Sequence, residues 1–370
     1  MSRKEILIIF LIMCCLFSLQ AVAATGDGNS TDSVVLTADG DVSAYSLPNL
    51  DNQLQAGSEE AGTFSDLQDD ISSGKLVRNY TYSSTDSGLS NGITISSDLT
   101  VDGEGKVTID AKNQARVFNI ASGATVTIKG ITFINGNALG NGGSISSSGV
   151  LTLIDCKFIN NTAVGHGGAV YMDHSTSSTI ENCEFNGNVA GLNGGAIDWR
   201  AGSENGKVIK STFTNNTAKR SGGAIHWSGH YGTISASNFT DNKATGEVIN
   251  EINGVTGGGD GGAVLWVGSH GIVKDNCNFI DNFAKYRGGA IFVHGNSTEN
   301  CTNTTVTKSK FENNVAGLNG GAIDWQSGTT NGMLSYSTFT NNTAYRSGGA
   351  VYWYGTNGTV SHCDFTDNHA

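Results

Sequence analysis

Between Gly92 and Phe133 apolar and polar residues alternate with a period of two, in the run GITISSDLTVDGEGKVTIDAKNQARVFNIASGATVTIKGITF. That spacing puts the apolar side chains on one face of short strands, and the Asp-Gly, Glu-Gly and Ser-Gly pairs between them mark turns. A different period comes before it. Phe64, Leu67 and Ile71 fall at i, i+3 and i+7, with Thr63 or Ser65 as N-cap and Gly74 as a stop, which predicts one short helix. From Phe133 the chain becomes an array. Phe-x-x-Asn-x-Ala begins at Phe158, Phe185, Phe213, Phe239, Phe279, Phe311, Phe339 and Phe365, with a degenerate copy at Phe133 where Gly136 takes the Asn position. Gly-Gly-Ala-Ile/Val begins at Gly167, Gly194, Gly222, Gly261, Gly288, Gly320 and Gly348, with a variant at Gly142. The two motifs alternate, usually every 25–28 residues, and insertions near 246–260 and 294–305 lengthen two units.

A repeat of that length without helix signals fits one coil of a parallel β-helix, with three short strands and three turns. No coil can bury its own apolar residues, but stacked coils bury them as continuous columns. The predicted fold is therefore all-β, a right-handed parallel β-helix (a pectin-lyase-like solenoid) with a short N-terminal capping helix. Phe forms one inward column, and the Asn three residues later forms an amide ladder along the axis. The position two before Phe alternates between Cys and Ser, so Cys156, Cys183, Cys277 and Cys363 read as buried free thiols, while Cys301 in a long loop reads as exposed. In the strand after Gly-Gly, the Ile or Val and all five tryptophans share the inward face. The residue between them (Tyr171, Asp198, His226, Leu265, Phe292, Asp324, Tyr352) is varied and is expected to face solvent. The string GLNGGAIDW occurs at 191–199 and again at 317–325, which reads as a duplicated four-coil module.

Composition supports a turn-rich β protein: Gly is 51 of 370 residues, Pro occurs once, and charged residues are only 15%. A net charge of −12 without basic clusters argues against nucleic acid and anionic membrane surfaces. Arg3 and Lys4, the apolar run Ile6–Phe17 and the Ala21-Val22-Ala23 site predict a signal peptide over 1–23. A polar, mobile linker is expected over 24–60, with a short strand at 34–36, then an N-terminal cap and first coils over 61–132, and the repeat array over 133–370. The array stops mid-coil, which suggests a fragment of a longer chain.

Candidate chemistry is sparse. Asp198 and His226 share an outward register on adjacent coils, about 5 Å apart by strand spacing, and could support acid–base work. The echo pairs Asp324 with Tyr352 instead, so no catalytic site is assigned and no enzyme is expected. The cysteines lack metal-ligand spacing, and the insertion with Glu247, Glu251 and Asp260 offers at most a weak Ca²⁺ site, so neither metal nor cofactor is expected. Tyr171, Asp198, His226, Phe292, Asp324 and Tyr352 are the candidate ligand-facing surface, with the aromatics able to stack on sugars. Among ten Asn-x-Ser/Thr sequons, Asn296, Asn300 and Asn303 lie in a loop, and Asn160, Asn215 and Asn341 should point outward, where glycans can attach.

The alternation of GGA(I/V) with FxxN resembles the repeat of chlamydial-type polymorphic outer membrane proteins. GTFSDLQDDI, the alternating run after it and VTIKGITFINGNA resemble the start of adhesin-like proteins of methanogenic archaea. These resemblances imply an exported cell-surface adhesin-like rod, in the cell envelope and outer-membrane-type or wall-associated. Other cells or surface polysaccharide or protein ligands would be its partners. Attachment would come only through a C-terminal region absent here, since neither a membrane barrel nor wall-binding modules follow. A polysaccharide-active lyase or hydrolase and a purely structural stalk are the alternatives.

Overall fold

The structure, a computed structural model, describes residues 60–247, 249–250, 255–256, 258–295 and 300–370; the expected signal peptide, nearly all of the expected 24–60 linker with its expected strand at 34–36, Glu251 and Asn296 lie outside the described residues. The described chain is a parallel β-solenoid. Ten strands, one per coil from Ile93–Ile95 to Val351–Trp353, form the sheet that follows each Gly-Gly bend, here the Gly-Gly sheet. A 19-stranded sheet holds the Phe motifs, and an eight-stranded sheet of two-residue strands runs from Asn137–Ala138 to Thr343–Ala344.

The helix α1 spans Phe64–Asp70. Thr63 is its N-cap, in a capping box with Asp66, and Asp86 also accepts from the Phe64 and Ser65 amides. The helix buries Phe64 and Leu67 over the first coils, with Phe64 edge-on to Tyr82.

The columns form as the repeat predicts. Phe133, Phe158, Phe185, Phe213 and Phe239 stack with ring centroids 4.7–4.9 Å apart and nearly parallel planes, and the stack continues to Phe365. The separation is the strand spacing itself, so in-register pairing imposes the stack. Beside it each Asn side-chain oxygen accepts both the backbone and side-chain amides of the previous coil's Asn, as between Asn188 and Asn216 at 3.0 and 2.9 Å. The same side-chain amide donates to the Phe158 carbonyl. The bend that turns this Asn inward needs left-handed backbone at the residue before it, which is why that position is Asn, Asp or Gly: Asn160, Asn215, Asp241 and Gly187 have φ of 55–66°.

Cys156, Cys183 and Cys277 are buried free thiols, and Cys363, on the last coil, is half-buried. Cys301 corrects the sequence reading. It lies in a short strand, Cys301–Thr302, paired to Thr329–Thr330, and it is buried with its thiol against the Gly268 carbonyl at 3.2 Å. The insertion that lengthens this unit returns to the solenoid as an extra rung, and that rung seals the cysteine inside. The tryptophans stack in two runs, Trp199–Trp227–Trp266 and Trp325–Trp353, interrupted where Val293 takes the position.

Candidate functional site

Tyr171, Asp198, His226, Leu265, Phe292, Asp324 and Tyr352 lie in one register on consecutive strands of the Gly-Gly sheet, as the repeat predicts. Their expected exposure is wrong for the middle of the row. Asp198 and Asp324 are 0% exposed, Phe292 is 3% and His226 5%; only Tyr171 and Tyr352 keep partial exposure. The Gly-Gly bend is the physical reason. Gly194 has φ +67°, and a side chain there would overlap the Ile197 carbonyl; a Cβ on Gly195 would overlap the Gly223 carbonyl of the next coil. The bend therefore folds tightly back over the strand it introduces. The residue before each Gly pair then stands as one wall over the row, and the residue after each Trp position forms the other.

Between these walls lies a cleft of about 540 Å³. Ser221, Asp260 and Arg287 line one side, Arg200, Ser228 and His294 the other, with His226, Leu265 and Phe292 as floor. Arg220, His230, Asn193, Gln326 and Ser327 add to its polar lining, and Asp260 is the only carboxylate in it among the described residues. Arg287 already holds that carboxylate in a two-pronged contact at 2.9 and 3.0 Å, and its guanidinium lies 4.6 Å above the Phe292 ring. Asp260 is thus paired with Arg287, and Phe292 is covered, so Phe292 offers no open ring for a sugar; Glu251, a member of the candidate Ca²⁺ site, lies outside the described residues. The exposed aromatics among the described residues are Tyr231, Phe283, Tyr336, Tyr345, Tyr354 and Phe365, none of them in this row.

Asp198 sits beneath the edge of this cleft. Its Oδ2 is 3.0 Å from His226 Nδ1 on the next coil and 2.8 Å from His166 Nδ1 on the previous one. Burial would push its carboxyl up, but the charges and hydrogen bonds of the two imidazoles win and hold it down at about 2. An ionised carboxylate only accepts, so His226 Nδ1 carries the proton in its bond to Oδ2, whereas His166 Nδ1 approaches Oδ2 without hydrogen-bond geometry. In the neutral ring His226 Nε2 is left as an acceptor, and Ser228 Oγ lies 3.1 Å from it. Sequence reasoning brought Asp198 and His226 together but missed two partners. His166 lies in a turn 32 residues before Asp198. Ser228 was legible, because it stands two residues after His226 and therefore on the same face.

The echo is built differently. Asp324 has Phe292 and Tyr352 as strand neighbours, and Gln326 donates to its Oδ2 at 3.3 Å. Burial dominates there and raises the carboxyl to about 7. Of the sequons, Asn160, Asn215, Asn300, Asn303 and Asn341 are exposed. Among the described residues no group of three or more His, Cys, Asp or Glu is placed to hold a metal ion, and no helix is long and apolar enough to cross a membrane.

Comparison with known proteins gives architecture. Residues 141–332, just over half of the chain, match the right-handed beta helix region family, and residues 336–352 match the Chlamydia polymorphic membrane protein repeat. No curated protein matches the chain. Among solved structures, ORF18 of Geobacillus virus E2 is similar at 13% identity and TM-score 0.40, over 96% of this chain and 73% of that one. A mannuronic acid specific polysaccharide family 6 lyase from human gut microbiota is similar at 9% identity and TM-score 0.34, over 82% of each chain. At these similarities neither carries an activity to this chain.

Proposed function

The chain belongs to the right-handed β-helix family, and from that premise we propose that it is an exported, cell-surface adhesin-like rod that binds anionic glycans of other cells in the cleft on its Gly-Gly sheet. The polymorphic membrane protein repeat at 336–352 supports a surface repeat protein. The observation that carries the ligand class is the charge of the cleft. In a chain of net charge −12, Arg200, Arg220 and Arg287 converge on a lining in which the one carboxylate among the described residues is already paired. Planar guanidinium groups are suited to sugar carboxylates and sulfates. The stacked coils hold the cleft rigidly, so little ordering opposes binding.

The test is a glycan array probed with the purified chain, followed by titration of the best ligand at low and high salt. Carboxylated or sulfated glycans should bind, neutral ones should not, and Arg220→Glu should weaken binding at least about tenfold. Binding to neutral glycans alone, or binding indifferent to Arg220→Glu, sends the ligand to another face. No binding to glycans or cells leaves a structural stalk. Occupied glycans at Asn160, Asn215, Asn300, Asn303 or Asn341, read by mass spectrometry of native material, would support export.

A further inference from the structure

We propose that Ser228, His226 and Asp198 form a nucleophilic triad that hydrolyses carboxylic esters of ligands seated in the cleft. The three groups lie in one line of contacts: Ser228 Oγ to His226 Nε2 at 3.1 Å, and His226 Nδ1 to Asp198 Oδ2 at 3.0 Å. They are graded in depth as such chemistry requires. Ser228 and His226 line the cleft, and Asp198 is fully buried behind them. Two adjacent rungs hold them, since Asp198 pairs in register with His226 and Ser228 follows on the same strand face. A triad is recognised by such geometry and roles rather than by sequence order or fold.

Stacking of the repeat does not require this line. In the echo, the positions of His226 and Ser228 are Tyr352 and Tyr354, and that of His166 is Arg287, yet the same nine-residue string folds into the same rung. The arrangement is therefore particular to one face of one module. Asp198 accepts from His226 Nδ1 and does not touch the cleft, which makes it a positioning residue for the His226 ring, and His166 Nδ1 lies 2.8 Å from the same oxygen.

In the reaction, Ser228 Oγ adds to the ester carbonyl carbon while its proton passes to His226 Nε2. The carbon–oxygen bond to the alcohol breaks, the alcohol leaves with that proton, and the acyl group stays on Ser228. Water then adds to the acyl carbon and gives a proton to His226. The Ser228–acyl bond breaks, serine recovers the proton, and a carboxylic acid departs. Trp199 pairs with Trp227, so Arg200 stands on the rung beside Ser228 in the same cleft lining, a cation facing the oxyanion formed in both steps. That the ester is carried on an anionic glycan rests on the preceding reading; the triad itself does not.

The experiment uses the full chain with 4-nitrophenyl acetate and a fluorophosphonate probe, and peptide mass spectrometry to locate the adduct. The expected result is an adduct on Ser228 and ester turnover that falls at least about 10³-fold in Ser228→Ala and in His226→Asn. Arg200→Gln, which installs the residue found at position 326, should lower kcat with less change in KM. Ser228→Ala keeps the buried pair intact, so its circular dichroism should match the wild type. An adduct elsewhere, turnover that survives Ser228→Ala, or a folded wild-type chain that neither turns over ester nor takes the probe overturns the triad. Because the ester is small and neutral, failure of glycan binding leaves this readout untouched, and the two readings fail separately.

Discussion

GLNGGAIDW is built twice, and the two aspartates have opposite electrostatics. Asp198 and Asp324 are both fully buried, both follow the same Gly-Gly bend, and in both Oδ1 lacks a hydrogen-bond partner among the described residues. Asp198 is nevertheless held at about 2 and Asp324 pushed to about 7. The difference comes from neighbours one coil away. His226 and His166 converge on Asp198, whereas Tyr352 occupies the first of those positions around Asp324 and Arg287 the second, where it has turned to Asp260 and Phe292. A repeat thus fixes the backbone environment of a residue and leaves its chemistry to the rungs on either side.

The largest effect should come from removing that difference. His166→Ala with His226→Ala leaves the Asp198 carboxylate buried and unpaired, and its titration should rise toward that of Asp324. Stability at pH 8 should fall by about 3–5 kcal/mol, the scale of leaving a buried charge without its partners. Solenoids unfold in parts, so hydrogen exchange at Ile197–Trp199 is a better measure than a global melt. Next comes Asp324→Asn. A carboxyl raised from 3.8 to about 7 favours the folded state below pH 3.8, and that benefit is lost as pH rises through 7. Removing the group should therefore stabilise the rung by up to about 4 kcal/mol at pH 8 and do little at pH 4, measured by exchange at Ile323–Trp325. A variant equally stable at both pH values would mean that Asp324 is not a buried, ionising group.

The architecture was legible because it is written in columns. Phe, Asn, Cys/Ser and Gly-Gly recur in register, and each must stack on its own kind. The row between the inward positions was placed on the correct face but wrongly given to solvent. Alternation tells which side of a strand a residue occupies, not whether a turn folds over that side, and the fold-over depends on Gly194 and Gly195 packing against the next coil. His166 was invisible for a related reason, since its distance to Asp198 depends on how the bend tilts, which no spacing encodes. Ser228 needed only the period-two step from His226 carried one residue past Trp227. Cys301 was misplaced because an insertion reads as loop until it is seen to form a rung.

Smaller effects refine the comparison. Asp198→Asn removes a carboxyl lowered from 3.8 to about 2, whose contribution is full above pH 3.8 and lost as pH falls through 2. It should cost about 2–3 kcal/mol at pH 7 and almost nothing below pH 2, in the opposite sense to Asp324→Asn. Denaturant-induced loss of Trp199 and Trp227 fluorescence across that pH range would read it, as both indoles are in the adjoining column.

The smallest and most discriminating change is Tyr352→His, which gives Asp324 the strand neighbour that Asp198 has in His226. A half-exposed imidazole is partly screened by solvent, so the gain at pH 6 should be about 1 kcal/mol. The carboxyl of Asp324, followed by ¹³C NMR, should titrate about one unit lower. It should not reach Asp198's value, because Arg287 has turned to Asp260 and does not supply the close contact that His166 Nδ1 makes with Asp198. If the carboxyl does not move at all, the strand neighbour is the lesser half of the pair. The depression of Asp198 would then belong to His166, the residue in the bend and the one that period-two alternation cannot find.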